Sequence, residues 1–423
     1  MEGGGGRDGR ERRGECPGTD FQHRSPRACA APMPAAKRLP GAKYWRKLAP
    51  SLHVDDSAFL TRCAAPIALP EALLKECHAR LAADGFFTLP PEVLPWSSSL
   101  KAMRIGVRRL IKRGWPASCL LVYDEVWAMA HELSALMAAV SGGCTHSLDT
   151  LAWSVTPAAG QAGFAPHRDR QPADVAASFR ADGTPKYCTA WVALSAATTE
   201  NSCLYLVPRQ HDPGYDAGDD HRPEAEDPLI RLLRSDQAVQ ALRACPLRPG
   251  GAVIFTHRAM HWGSKGRSDC EAPRVSVSFG HTDAIFEKPY FAQPARHLPF
   301  PRPALRIALT AAQLINYHER FAFGVPLLRR LGATFQAHKD KFTQEYVEKT
   351  VAEYMAACQD RQLAPGRRRA RGGRCPTASE EEQNEEDGDS DDAALDDALD
   401  AMLDAQAAAE GNLFDDYDGL DEE

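Results

Sequence analysis

His167, Asp169, His261 and Arg274 are the residues of this chain whose types and order could do chemistry together. His167 and Asp169 flank a single arginine just after Pro166. Proline and the alternation His-Arg-Asp suggest extended backbone, in which side chains at i and i+2 point the same way. Both could then reach one ion while Arg168 turns aside. A second imidazole from downstream completes a set of two histidines and one carboxylate. That donor set caps one face of a metal, leaves the other face open, and suits non-haem Fe(II).

Spacing alone does not single this pair out, because His53-Val54-Asp55 and His281-Thr282-Asp283 share it. An isolated His-x-Asp is usually a surface or hydrogen-bonded pair. Context separates the three. His53 stands at the edge of a Gly- and Arg-rich arm, and the histidines after His281 lie in Pro-rich or helical surroundings. After His167-x-Asp169, the turn Pro249-Gly250-Gly251 and the apolar run Ala252–Phe255 lead into a segment holding both His257 and His261. His261, followed by Trp262 and Gly263, is the preferred third ligand, and His257 is the alternative. A helical zinc pair is disfavoured by the Gly-Gly turn and the β-branched approach. Arg274 opens a run of Val, Ser and Phe. An arginine there is either matched by a protein carboxylate or awaits an anion, since an unmatched buried guanidinium is costly.

The elements around these residues follow from periodicity. Pro70 to Gly85 reads as a helix with Leu73, Leu74, Cys77 and Leu81 on one face and a glycine cap. Phe86–Leu89 reads as a short strand, and 100–112 and 123–140 as helices. The period then becomes two. Leu151, Trp153 and Val155 alternate with small residues, with Asp149 and Thr150 marking the start; Tyr187–Leu194, Cys203–Val207, Ala252–Phe255 and Arg274–Phe279 are further strands. Pro228–Leu242 is amphipathic and reads as a helical insertion, and 304–320 and 335–358 return to helix. The expected fold is mainly β: a double-stranded β-helix (jelly roll) core with flanking helices, helical N- and C-terminal additions and disordered tails.

Composition bounds the rest. The 43% hydrophobic content is enough for a real core, and no apolar run approaches the 18 or so residues of a membrane span. The first 20 residues lack an apolar stretch and contain five acids, unlike a secretory or organellar signal. The 12 cysteines are scattered without paired spacing, which suggests free thiols in a reducing compartment, cytoplasmic or nuclear. The net charge of −7 hides an uneven distribution, since Ser379 to Glu423 holds 20 acids and no base. Residues 1–50 carry +6, and Arg367, Arg368, Arg369, Arg371 and Arg374 add +5. The body between is nearly neutral, so no nucleic-acid footprint is expected on it. The expected organisation is a disordered basic arm at 1–50, with order beginning near Leu52, a domain at 51–362 (core about 69–300, C-terminal helices about 303–360), and a disordered basic linker and acidic tail at 363–423. The arginine run could serve nuclear import. Leu395, Leu399, Met402 and Leu403 could form a transient helix for a protein partner.

From about Leu69 to Gly280 the chain resembles the phytanoyl-CoA dioxygenase family of Fe(II)/2-oxoglutarate oxygenases. The resemblance rests on Asp84-Gly85-Phe86-Phe87, Pro166-His167-Arg168-Asp169, Trp191-Val192-Ala193-Leu194 and Glu200-Asn201-Ser202-Cys203-Leu204. It continues through Pro208-Arg209-Gln210-His211 and Pro249-Gly250-Gly251 to His261 and Arg274. It implies that His167, Asp169 and His261 hold iron. It further implies that Arg274 binds the distal carboxylate of 2-oxoglutarate, with Ser276 as a helper on the same strand face. Trp191 would line that pocket or serve as a core aromatic. Related halogenases replace the carboxylate ligand with a small residue; Asp169 is retained here, so hydroxylation with O2, releasing succinate and CO2, is the implied reaction. Two departures, Pro-Arg-Gln-His where the family has Pro-Gly-Ser-His and an insertion at Asp212–Asp227, bear on the substrate entrance. The substrate is left as a small molecule or a lipid or acyl group. Two other readings stand beside this one: a non-catalytic regulator or adaptor with a degenerate oxygenase body, and a cupin-like metalloenzyme without 2-oxoglutarate.

Overall fold

Alternating apolar and small residues across the middle of the chain demand a sheet with both faces covered, and the chain supplies it. The computed structural model describes residues 37–63, 65–219, 228–234 and 236–362. Strands β1 (Phe86–Leu89), β2 (Thr145–Val155), β3 (Tyr187–Ala193), β4 (Leu204–Leu206), β5 (Arg243–Cys245), β6 (Ala252–Thr256), β7 (His261–Gly263) and β8 (Arg274–Thr282) form two antiparallel sheets. The larger has the order β1-β6-β3-β8-β2 and the smaller β5-β4-β7. Its central strand β3, YCTAWVA, is buried at every position. Cys188, Ala190 and Val192 join the core beneath the helices, while Trp191 and Ala193 join a second core shared with Leu204, Leu206 and Cys245 of the smaller sheet. One strand thus serves both cores through its period-two alternation.

Helices α1 (Ala42–Leu48), α2 (Ser57–Arg62) and α3 (Glu71–Asp84) precede β1, and α4 (Leu100–Lys112) and α5 (Asp124–Ser141) lie between β1 and β2. Short helices α6 (Gly214–Ala217), α7 (Pro228–Leu233) and α8 (Asp236–Ala241) lie in the insertion between β4 and β5. Helices α9 (Pro294–His297), α10 (Pro303–Asn316), α11 (Val325–Gln336) and α12 (Gln344–Gln362) follow β8. The end of α3 shows why a glycine stands there. Gly85 has φ +82°, and its amide donates to the Leu81 carbonyl. A side chain at Gly85 would also meet the Tyr215 ring at 2.8 Å.

Several expectations need correction. The folded part begins before residue 51: α1 lies inside the segment read as an arm, and Trp45 is fully buried against Tyr44 and Trp115. His53 is not at a loose edge either, since its Nδ1 lies 2.7 Å from Glu125 Oε1. The stretch 335–358 is not one helix. It breaks between Gln336 and Gln344, where Phe342 packs on Phe291 and Phe335 and bridges to the Phe291 backbone. The helix expected over 304–320 ends at Asn316, and a 3-10 turn covers His318–Arg320. The insertion helix divides into α7 and α8, and residues 243–245 are strand. Strand β2 starts at Thr145 rather than near Asp149, with a bulge between His146 and Thr150 where Leu148 has φ +71°. The disorder expected for 1–36 and for the tail at 363–423, the arginine run and the 395–403 helix lie outside the described residues. Among the described residues nine cysteines are free, seven of them buried. No described helix is long and apolar enough to cross a membrane.

Candidate metal centre

Pro166 restrains the residue before it to extended backbone, and His167 follows as an isolated β-bridge residue between bends at Pro166 and Asp169. His167 then bridges His261 at the start of β7. Each amide donates to the other residue's carbonyl at 3.0 Å, so the two histidines sit directly opposite each other. Their rings lie 4.3 Å apart between centroids. His167 Nδ1 lies 2.7 Å from the Ala165 carbonyl and His261 Nδ1 lies 3.0 Å from the Ala259 carbonyl. A carbonyl can only accept, so each Nδ1 carries the proton and each Nε2 presents a lone pair. Those Nε2 atoms lie 3.7 Å and 3.5 Å from the same oxygen, Asp169 Oδ1. Asp169 Oδ2 is held by a hydrogen bond from the Thr189 hydroxyl on β3.

The three ligand atoms all lie within 4.8 Å of one another. The protonation of His167 suits a cation as well. Burial, reinforced by the neighbouring His261, pulls His167 down to about 4, so its imidazole is neutral at physiological pH. Two lone pairs and a carboxylate, each oriented by an outer hydrogen bond, form a donor set that fits Fe(II).

Arg274 fits the second half of the expected site by its lack of a partner. It is 3% exposed, and no carboxylate pairs with it among the described residues. Its Nη1 donates to Ser276 Oγ at 2.8 Å, its guanidinium stands 5.4 Å from the Trp191 ring, and its buried Nε has no partner. Burial pushes its pKa down to about 10, with only Cys203 opposing. Strand register places Ala193 opposite Ser276 and Trp191 opposite Ser278. Thr189, Trp191, Arg274 and Ser276 therefore share the sheet face that carries Asp169's hydrogen-bond donor. Trp191 is also part of the inter-sheet core.

The other candidates fall elsewhere. His257 is fully buried, with Nδ1 3.0 Å from the Tyr187 carbonyl and its ring among Phe179, Tyr187 and Phe286. It stands outside the three-ligand group, and its Nε2 has no partner. His281 is likewise buried, and Asp283 pairs with Arg180 at 2.9 Å. A second group, His318, Glu319 and Asp360, also falls within 4.8 Å. Arg361 Nη1 lies 3.4 Å from His318 Nδ1 and would repel a cation there.

Sequence reasoning did not find the support around these ligands. Arg168, turned away from Asp169, is buried with Asp212 and Asp219 at 2.8 Å and 2.6 Å, each side chain about 1% exposed. Arg258 donates to the Gly214 and Tyr215 carbonyls and so anchors the same insertion. Arg170, after Asp169, pairs with Asp149 at 2.8 Å and Glu287 at 3.0 Å. The β2 bulge aims Asp149 inward, where Tyr317 and Gln313 also donate to it. Nothing local in the sequence marks these pairs.

The phytanoyl-CoA dioxygenase (PhyH) family model matches residues 124–275, a stretch that contains all four residues of the site. Phytanoyl-CoA dioxygenase domain-containing protein 1 of Mus musculus is 29% identical over 114 residues, which are 26% of this chain and 39% of that protein. The Danio rerio protein of the same name is 25% identical over the same share. The chain therefore spans well under half the length of these curated relatives. Among solved structures, the epimerase SnoN in complex with Fe3+, alpha ketoglutarate and nogalamycin RO is 22% identical, covering 51% of this chain and 85% of that one, with a TM-score of 0.39. HygX from Streptomyces hygroscopicus with nickel and 2-oxoglutarate bound is 17% identical, covering 52% and 88%, with a TM-score of 0.34. Over residues 124–275, the stretch that carries His167, Asp169, His261 and Arg274, the chain is phytanoyl-CoA dioxygenase-like.

Proposed function

We propose that the protein is an Fe(II)- and 2-oxoglutarate-dependent dioxygenase that hydroxylates a small-molecule or lipid/acyl substrate, releasing succinate and CO2. The observation that carries this reading is the pairing of a three-atom donor set with a fully buried, unmatched guanidinium on the same interior. A structural metal site would need no such cation, and the buried structural arginines nearby are taken up by carboxylates (Arg168) or by several backbone carbonyls (Arg258), whereas Arg274 Nε has neither. The two sheets are read as the halves of a double-stranded β-helix.

His167, Asp169 and His261 would hold the iron, and the iron with 2-oxoglutarate would supply the activation of O2. The remaining roles belong to the protein. Arg274 would bind one carboxylate of 2-oxoglutarate, with Ser276 orienting the guanidinium and the Trp191 ring flanking it. Thr189 would keep Asp169 turned toward the histidines. The carbonyls of Ala165 and Ala259 would fix both tautomers, so that no proton has to leave before metal binds. The cytoplasm or nucleus is the proposed setting, and a protein partner for the acidic tail stays a proposal on charge alone.

Purified protein supplied with Fe(II), 2-oxoglutarate and O2 should form succinate, and His167→Ala should abolish it. Full succinate formation by His167→Ala would overturn the assignment. A non-catalytic adaptor with a degenerate oxygenase body is the other reading. It predicts neither iron binding nor dependence on 2-oxoglutarate in the wild type.

A further inference from the structure

Resting on that reading of the metal centre, we infer that the primary substrate is an apolar monoanion, of the carboxylate class, held by Arg320 above an aromatic shelf beside His167. The shelf runs outward from the ligand. The Phe164 ring stands 5.5 Å from the His167 ring, and Trp153 stands edge-on to Phe164 at 4.4 Å. Phe321 stacks on Trp153 at 4.6 Å with planes 2° apart. All three are only partly buried, although each is a residue type that a closed core would cover. They come from three places: β2, the loop before the ligand motif and the segment after α10. An apolar surface assembled from separate elements beside a metal ligand suits the body of a substrate.

The charge beside it is specific. The Arg320 guanidinium lies 5.1 Å from the Phe164 ring, the ring that stands beside His167. No carboxylate pairs with Arg320 among the described residues. Arg168, Arg170 and Arg180 are matched by carboxylates, Asp212 with Asp219, Asp149 with Glu287, and Asp283 respectively, and Arg258 is taken up by the Gly214 and Tyr215 carbonyls. One unmatched guanidinium above an apolar shelf recognises one anionic group on an apolar body. A coenzyme A thioester presents several phosphates and no free carboxylate, whereas among the described residues Arg320 is one cation beside the shelf. Arg320 is distinct from Arg274, which is fully buried on the sheet face.

Calorimetric titration tests this on the full chain, loaded with Co(II) and saturated with 2-oxoglutarate under nitrogen. The probes are decanoate, 2-naphthoate and decanoyl-coenzyme A. At least one of the two carboxylates should bind, more tightly than decanoyl-coenzyme A. Arg320→Gln should weaken that binding at least tenfold while Arg320→Lys largely restores it. Phe321→Ala should weaken it without changing the Co(II) titration. Failure of both carboxylates to bind, tighter binding of the thioester, or unchanged affinity in Arg320→Gln would each overturn the inference. Failure of the underlying reading shows separately, as loss of Co(II) or 2-oxoglutarate binding before any probe is added.

Discussion

His167 and His261 hold each other in place: each donates its amide to the other's carbonyl at 3.0 Å, and each presents Nε2 toward Asp169 Oδ1. Two residues 94 positions apart therefore behave as one unit, with their side chains aligned by a backbone bridge rather than by chance packing. Substituting either imidazole should leave the bridge intact, because it is made by main-chain atoms. His261→Ala should thus lose Co(II) affinity by more than 100-fold while the far-ultraviolet circular dichroism is unchanged. Retained Co(II) binding would show that another residue, such as His257, supplies the third ligand.

Arg274 should have opposite effects on stability and on ligand binding. An unmatched guanidinium in an apolar interior is unfavourable, and apolar replacement of buried charge is often neutral or stabilising by about 1–4 kcal/mol. Arg274→Met should therefore unfold at an equal or higher urea concentration than the wild type in the absence of ligand. Adding 2-oxoglutarate with Co(II) should raise the melting temperature of the wild type beyond the effect of metal alone, and should add nothing in Arg274→Met. A strongly destabilised Arg274→Met would point to a structural role instead.

The Arg168 cluster predicts the reverse pattern. Removing this arginine leaves Asp212 and Asp219 buried beside each other, and breaking a buried pair from one side costs about 3–5 kcal/mol. Arg168→Met should lower the urea midpoint by a corresponding amount. Arg267→Ala, which breaks exposed ion pairs with Glu200 and Asp269, should leave the urea midpoint nearly unchanged.

Acid should destabilise the metal-free protein before most carboxylates titrate. Burial pulls His257 and His281 from the ordinary 6.5 down to about 3. Below pH 6.5 the unfolded chain takes up protons at these positions and the folded chain does not, so stability falls as pH falls from 6.5 toward 3. Each histidine contributes a slope of up to roughly 1.4 kcal/mol per pH unit in that window. Urea midpoints between pH 7 and pH 5 should decline, and the decline should be shallower in His281→Gln. An unchanged slope in that variant would contradict the assignment.

Much of this site was legible because extended backbone has a simple rule. His167-x-Asp169 reads as a pair on one side, and the period-two runs at 151–155, 187–193 and 274–279 name the strands that frame it. Arg274 could be singled out because a guanidinium is out of place in a run of Val, Ser and Phe. Arg168 could not, because its partners lie 44 and 51 residues away in an insertion without local pattern. The break between α11 and α12 escaped for a similar reason: the helical spacing continues through it, and contacts of Phe342 with Phe291 and Phe335 decide the matter. Trp45 was hidden by the Gly- and Arg-rich residues before it, although a Tyr-Trp pair is itself a sign of burial.

The most direct test of the central claim is an anaerobic titration of the Fe(II)-loaded protein with 2-oxoglutarate, followed by visible absorption. The wild type should develop a saturable band that depends on both iron and 2-oxoglutarate, and Arg274→Gln should shift its midpoint at least 100-fold. Absence of the band in the wild type, with iron shown to be bound, would contradict the account.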